Sequence, residues 1–249
     1  MPRANGFIVY RGPSMLDGAP IIVVATGFAA GSANAKTGAG LIQTWILRDD
    51  VSPLEAVNTG ADASICGDCV HRGAVVDGKN VGRSCYVTVF QAPNNVWKTA
   101  RRGAYASVPI DGLAALFEGR KIRFGAYGDP AAVPLSVLSA MSSRAAGWTG
   151  YTHQWRRFPE LAPFCMASCD SLSERAGARA LGFRVFRVST SPGASDRLEV
   201  ICPASAEAGH KTTCDACMAC GGTSARARAD IVIAAHGSAG KVAAVAARA

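Results

Sequence analysis

The chemistry open to this chain is set by its cysteines. Cys214, Cys217 and Cys220 are separated by two residues each and run into Gly221-Gly222. Three thiolates spaced this way converge from one tight loop, and the spacing suits three corners of a cubane iron–sulfur cluster. Cys202, followed by Pro203, supplies a fourth ligand. Structural zinc more often uses two separated Cys-x2-Cys pairs, so zinc stands as the alternative occupant of Cys202, Cys214, Cys217 and Cys220. A second group is Cys66-Gly-Asp-Cys69, with His71 and Cys85 nearby. Cys66, Cys69, Cys85 and His71 together would make a closed zinc site. The three cysteines alone on a cubane would leave one iron open to substrate or cofactor. A third arrangement joins Cys66 and Cys69 to Cys217 and Cys220 in a shared zinc ribbon. Cys165 and Cys169 lie four apart on a strand, share a face, and read as core thiols. His153 is a ligand, an acid–base group or a hydrogen-bonded interior residue, and His210 lies in a Gly-His-Lys loop that reads as solvated.

The cysteine count is odd, nine, which disfavours a disulfide framework. The start, Met-Pro-Arg-Ala-Asn-Gly, has no apolar core behind its charge and does not read as a signal peptide. A reducing cytoplasm is the expected compartment. At 249 residues, 49% apolar and 18% charged, the chain is neither disordered nor fibrous. No apolar run reaches the ~18 residues of a membrane span. The net charge of +8 and a pI near 9.2 favour an anionic partner, a nucleotide or nucleic acid among them. The arginines are spread along the chain, so the excess reads equally as a solubility feature.

Elements that would position these residues follow from pattern. Phe7–Tyr10, Ile21–Ala25 and Leu41–Leu47 read as strands of an N-terminal β segment, residues 1–60. Lys36-Thr37-Gly38 in the loop between the last two lacks the full phosphate-loop pattern. Residues 61–105 are irregular and end in a helix from about Pro93 to Arg102. From 121 the pattern becomes regular. Strands are expected at Lys121–Tyr127, Trp148–Trp155, Phe164–Ser168, Phe183–Val188, Glu199–Cys202 and Ile231–Ala235. A helix opens at Pro134, and another starts at the capping box Ser171-Leu-Ser-Glu174 and stops at Gly182. Alternation of this kind predicts α/β architecture with parallel neighbours. Residues 61–240 would form that domain, with 241–249 as a tail. Gly128-Asp129, His153, Asp170, Cys202 and His236 then fall at strand ends, where such folds build their sites. Asp129 should lie in the main cleft beside His153 and Asp170, on the side of Cys66, Cys69 and Cys85.

Two resemblances bear on this. Ile65–Cys69, Cys85–Val87, Arg123–Pro134, Gly150–Arg156, Met166–Ser171 and Cys202 through Cys220 resemble an uncharacterised family of cysteine-rich, bacteriophage-encoded proteins. This implies a phage origin, hence a host-cell cytoplasm, and no activity. The central layout also resembles radical S-adenosylmethionine enzymes. Their fold, a partial parallel (β/α) barrel, would here start at Leu41–Leu47. The resemblance implies an iron–sulfur cluster on Cys66, Cys69 and Cys85, with Cys85-Tyr86 similar to the Cys-Tyr that often closes that family's loop. It places Gly128 and Asp129 at the methionyl amine of S-adenosylmethionine and an auxiliary cluster on Cys202, Cys214, Cys217 and Cys220. The family's Cys-x3-Cys-x2-Cys loop is replaced here by Cys-x2-Cys-x15-Cys. On this reading His153 and Asp170 act at a nucleotide or nucleic-acid substrate. The competing reading is a zinc-stabilised, non-catalytic nucleic-acid binder, using Arg101, Arg102, Arg156 and Arg157 on phosphates with Trp97 and Trp155 for stacking.

Overall fold

A computed structural model describes residues 4–29, 36–191, 193 and 195–247. The chain runs β1 (Gly6–Pro13), β2 (Pro20–Thr26), β3 (Leu41–Arg48), α1 (Pro53–Thr59), α2 (Ala63–Cys66), β4 (Ala74–Val76), β5 (Lys79–Val81), α3 (Ala92–Arg101), β6 (Ala106–Ser107), α4 (Ile110–Leu116) and β7 (Lys121–Tyr127). It continues through α5 (Leu135–Ser142), β8 (Gly147–Thr149), β9 (Tyr151–Thr152), β10 (Met166–Cys169), α6 (Leu172–Ala180), β11 (Val185–Ser189), β12 (Glu199–Ile201), α7 (Cys214–Cys217), β13 (Asp230–Ala234) and α8 (Ala239–Ala246). The last helix covers much of the expected tail. Among the described residues no helix is long and apolar enough to cross a membrane.

The architecture is mixed α/β. One sheet has the order β6-β1-β2-β3-β7-β8 and a second the order β12-β13-β11-β10-β9. Strands β1, β2 and β3 are antiparallel neighbours; β3, β7 and β8 pair in parallel, as does every neighbour in the second sheet. Because β3 and β7 pair, the first sheet crosses the boundary expected at residue 60. Strand β13 sits between β11 and β12, so the segments at 185 and 199 are not adjacent as expected.

The strand expected over 148–155 is interrupted. Gly150 separates β8, in the first sheet, from β9, in the second. Its N–H donates to the Cys220 carbonyl at 3.0 Å, and its own carbonyl accepts from the Met166 N–H at 2.9 Å. A Cβ here would lie 2.9 Å from both Cys165 Sγ and the Phe164 carbonyl oxygen. The chain therefore changes sheet at the one residue type that fits.

Local signals act as their chemistry dictates. Ser52 caps α1, accepting from the Glu55 N–H, with Pro53 in the first turn and Gly60 left-handed at the end. Ser171 caps α6 and accepts from the Glu174 N–H at 3.1 Å; Glu174 reaches back to the N–H of Asp170 rather than Ser171. The main core lies around β1–β3 and β7, where Ile21 to Ala25 is buried throughout. Helix α6 buries Ala178 in the core with Ala167 of β10 and Val185 of β11, and charge ties it to the start of β13. Asp230 accepts from Arg175 and Arg179, each at 2.8 Å, and from the Val185 N–H. Glu199 receives Arg187 in a bidentate pair at 2.9 and 2.7 Å.

Two outcomes follow. Gly150→Ala should destabilise the fold by about 1–3 kcal/mol through overpacking, measured by chemical denaturation. Burial pushes the Glu199 carboxyl up, but Arg187 and Ser195 outweigh it and hold it below its ordinary value. The pair's stabilisation is then complete above the ordinary glutamate range near pH 4.3. It is lost as pH falls through the lower, folded value. Glu199→Gln should cost about 3 kcal/mol or more at neutral pH, because it leaves Arg187 buried without its charge partner. It should also flatten the decline of stability below about pH 4, read by urea melts across pH.

Candidate metal and substrate site

Alternate residues of the parallel strands point to one side and enclose a cavity of about 440 Å³. Arg123, Gly125 and Tyr127 of β7, Phe186 and Val188 of β11, and Ile231 and Ile233 of β13 line it. The volume is that of a small-ligand site. Cys66, Cys69, Cys85, Cys202, Cys214, Cys217 and Cys220 all face it, as do Gly128, Asp129 and His153. Cys165 and Cys169 do not, and are fully buried in the core. His210 is exposed. All nine thiols are free.

The long insert between Cys69 and Cys85 is a hairpin excursion. Strands β4 and β5 pair antiparallel across Asp77-Gly78, both with positive φ. An Asp-Gly between short apolar runs signals such a turn, so residues 61–105 are not irregular throughout. The excursion closes on itself, since the N–H groups of Ser84 and Cys85 both donate to the His71 carbonyl, at 3.2 and 2.9 Å. Cys85 thereby returns beside Cys66 and Cys69, close enough for each thiolate charge to bear on the next. Asp62 anchors the base of this loop. It is fully buried and accepts from Arg72 at 2.7 Å, while Arg72 also donates to the carbonyls of Gly60 and Gly67.

The loop is fastened to the strand ends. The Asp129 N–H donates to the Ile65 carbonyl at 2.6 Å, and Gln154 Nε2 donates to the Cys66 carbonyl at 3.2 Å. Asp129 accepts from the Ala131 N–H at 3.0 Å and the His153 N–H at 2.8 Å. Its carboxylate thus braces the rim between β7 and β9. Gly128 has φ +82°, and a Cβ there would strike Ile46 at 2.6 Å. Asp129, His153, Cys66, Cys69 and Cys85 all line the cavity; Asp170 is outside its lining and reaches it through His71. His71 directs its ring nitrogens to Ser84 Oγ at 2.7 Å and Asp170 Oδ1 at 3.1 Å.

The second cysteine group meets the other end of β7. Lys121, the first residue of that strand, donates from Nζ to the Asp215 carbonyl at 2.6 Å. The N–H groups of Cys214 and Asp215 donate to the carbonyls of Lys36 and Thr37. The Lys36-Thr37-Gly38 stretch is therefore the dock for α7. Arg184, buried, donates to the carbonyls of Ala219, Gly222 and Ala229 and pins the end of the loop to β11. Cys202, Cys214, Cys217 and Cys220 bear on one another electrostatically. Tyr151 hydrogen-bonds Cys220. A small apolar cluster of Met166, Cys202, Ala204, Ile231 and Ile233 backs the group. Cys66 is influenced by Cys69 and Cys85, and Cys220 by Cys202, Cys214 and Cys217.

The surface assigned to nucleic acid is differently disposed. Trp155 is 3% exposed, with Arg156 stacked on it at 3.9 Å and bonded to Glu174. Trp97 donates its indole N–H to the Arg48 carbonyl. Trp155 is thus no exposed stacking platform.

No protein-family model, curated protein or solved structure matches the chain.

Burial pushes the thiols of Cys69 and Cys220 up to about 12, and raises those of Cys66, Cys85, Cys202 and Cys214. Without metal these groups are protonated at neutral pH, and ligation must expel the protons. Metal uptake by the metal-free protein should therefore strengthen as pH rises. It should release about one proton per ligating thiol, measured calorimetrically in buffers of different ionisation enthalpy.

Proposed function

We propose that the protein is an iron–sulfur enzyme of the radical S-adenosylmethionine type, acting within its cavity on a small anionic substrate of the nucleotide class. The wall from β3 through β7, β8–β9, β10 and β11 to β13 and β12 is then an open, partial (β/α) barrel. One observation carries the reading: two cysteine groups face one cavity, and the group of three shares its rim with Gly128 and Asp129. Cys66, Cys69 and Cys85 would hold one cluster, and Cys202, Cys214, Cys217 and Cys220 the other. A cluster on three cysteines supplies an open iron and an electron to a bound cofactor.

The donor sets fit such clusters. They come in sets of three and four, with Cys202 buried and the other six half-buried. Among the described residues no trio of sulfurs converges within 4.8 Å. The Cys214-x2-Cys217-x2-Cys220 spacing favours a cubane cluster over zinc, whose structural sites more often use two separated pairs.

The chain's own residues do the rest. Gly128 makes the left-handed turn that Ile46 leaves open only to glycine, and so sets Asp129 at the end of β7. Asp129 fixes the position of His153. The Arg123 guanidinium stands inside the cavity and donates to Tyr86 Oη at 2.9 Å. It makes no ion pair with a carboxylate among the described residues. A half-buried guanidinium of this kind attracts phosphate or carboxylate. The cavity's size favours a nucleotide over a nucleic-acid chain.

Anaerobic reconstitution with iron and sulfide should give a brown protein that converts S-adenosylmethionine to 5′-deoxyadenosine under reduction. Cys85→Ser should abolish that conversion. Cys217→Ser should lower iron content and solubility, because cluster binding and folding are coupled. A colourless protein containing only zinc would overturn the proposal.

A further inference from the structure

Three side chains at the rim bring ligand atoms together without a sulfur among them. His71, His153 and Asp170 each place a ring nitrogen or carboxylate oxygen within 4.8 Å of the other two. They come from distant parts of the chain: the turn after Cys69, the residue after β9 and the residue after β10. His71 Nε2 lies 3.1 Å from Asp170 Oδ1. Two ligands at right angles on a metal, at ~2.1 Å each, lie about 3.0 Å apart. The observed pair matches that span.

The surroundings hold the three in place. The other ring nitrogen of His71 is 2.7 Å from Ser84 Oγ, the outer-shell contact that orients metal-bound imidazoles. His153 is fixed through its main chain, whose N–H donates to Asp129 Oδ2. Its Nε2 is buried and meets no hydrogen-bond partner among the described residues. A buried polar atom left unpaired is costly, and a metal ion relieves that cost. The Asp170 N–H is held by Glu174 Oε2 at 2.8 Å, which ties the third ligand to the cap of α6.

We propose that His71, His153 and Asp170 form a mononuclear site for a divalent transition-metal ion, distinct from both cysteine groups. Two imidazoles and one carboxylate make the ligand set of mononuclear sites that keep positions open. His71 and His153 both line the cavity. The open positions therefore face it, where they would take water or an oxygen donor of the bound substrate. The site stands on its own geometry and does not require the cysteines to hold iron.

Manganese(II) separates this site from the thiols, because it favours nitrogen and oxygen donors over thiolate. The full-length protein is titrated with manganese(II), and the free ion is followed by its electron paramagnetic resonance. One ion per chain is expected. His153→Gln and Asp170→Asn should each weaken binding at least tenfold, and His210→Gln, at an exposed histidine away from the cavity, should leave it unchanged. Ser84→Ala, which removes only the group orienting His71, should weaken it about tenfold. Thermal melts identify any variant that has unfolded. No manganese binding, binding indifferent to His153 and Asp170, or binding lost in His210→Gln would each overturn it. The iron and sulfide content of the cysteine variants reports separately on the clusters.

Discussion

The peptide units around Gly150 hold the two sheets to one another. A strand must satisfy its backbone on both edges. Here the edge partners change from β7 to β10 within six residues, 147–152. Gly150 manages the change by giving its N–H to Cys220 and accepting from Met166. The contact thus joins three things: the first sheet, the second sheet and the loop that carries Cys214, Cys217 and Cys220. Cys165 Sγ and the Phe164 carbonyl fill the space a side chain would take. Without this crossing the two sheets would be separate layers, and the cavity that both line would have no wall.

That wall explains the distribution of charge and sulfur. The parallel strands turn one set of alternate residues to the cavity and the other to the helices. The helix side of β11 to β13 is closed by Arg175, Arg179 and Arg187 on Asp230 and Glu199. Such pairs specify one docking for α6 while adding less stability than an apolar interface. On the cavity side, burial raises the thiols of Cys66, Cys69, Cys85, Cys202, Cys214 and Cys220. Arg123 and His153 line the same cavity.

The cysteine loop shows how a hairpin shortens a long spacing. Fifteen residues separate Cys69 from Cys85, but β4 and β5 fold them into an excursion whose ends meet at the His71 carbonyl. The same excursion sets His71 beside Asp170 and Ser84 beside His71. One hairpin therefore arranges both the three thiols and the two-histidine, one-carboxylate cluster.

The sequence by itself determined the elements with strong local chemistry. Proline and glycine punctuation fixed β7, α3 and α5 closely, Ser171 and Glu174 fixed the start of α6, and alternation after residue 121 fixed parallel pairing. The grouping of the cysteines was legible from spacing, because a Cys-x2-Cys-x2-Cys loop can converge with no long-range help. The Asp77-Gly78 turn was equally local and could have been read. The tertiary structure alone decided the rest. Strand order, with β13 inserted between β11 and β12, depends on which apolar faces meet, and neighbouring residues carry no record of that. The break at Gly150 depends on Cys165 and Phe164 crowding one position. The burial of Trp155 under Arg156 depends on α6. The meeting of His71, His153 and Asp170 depends on three loops ending at one rim, and pairings across 80 to 100 residues of chain leave no period or spacing to read.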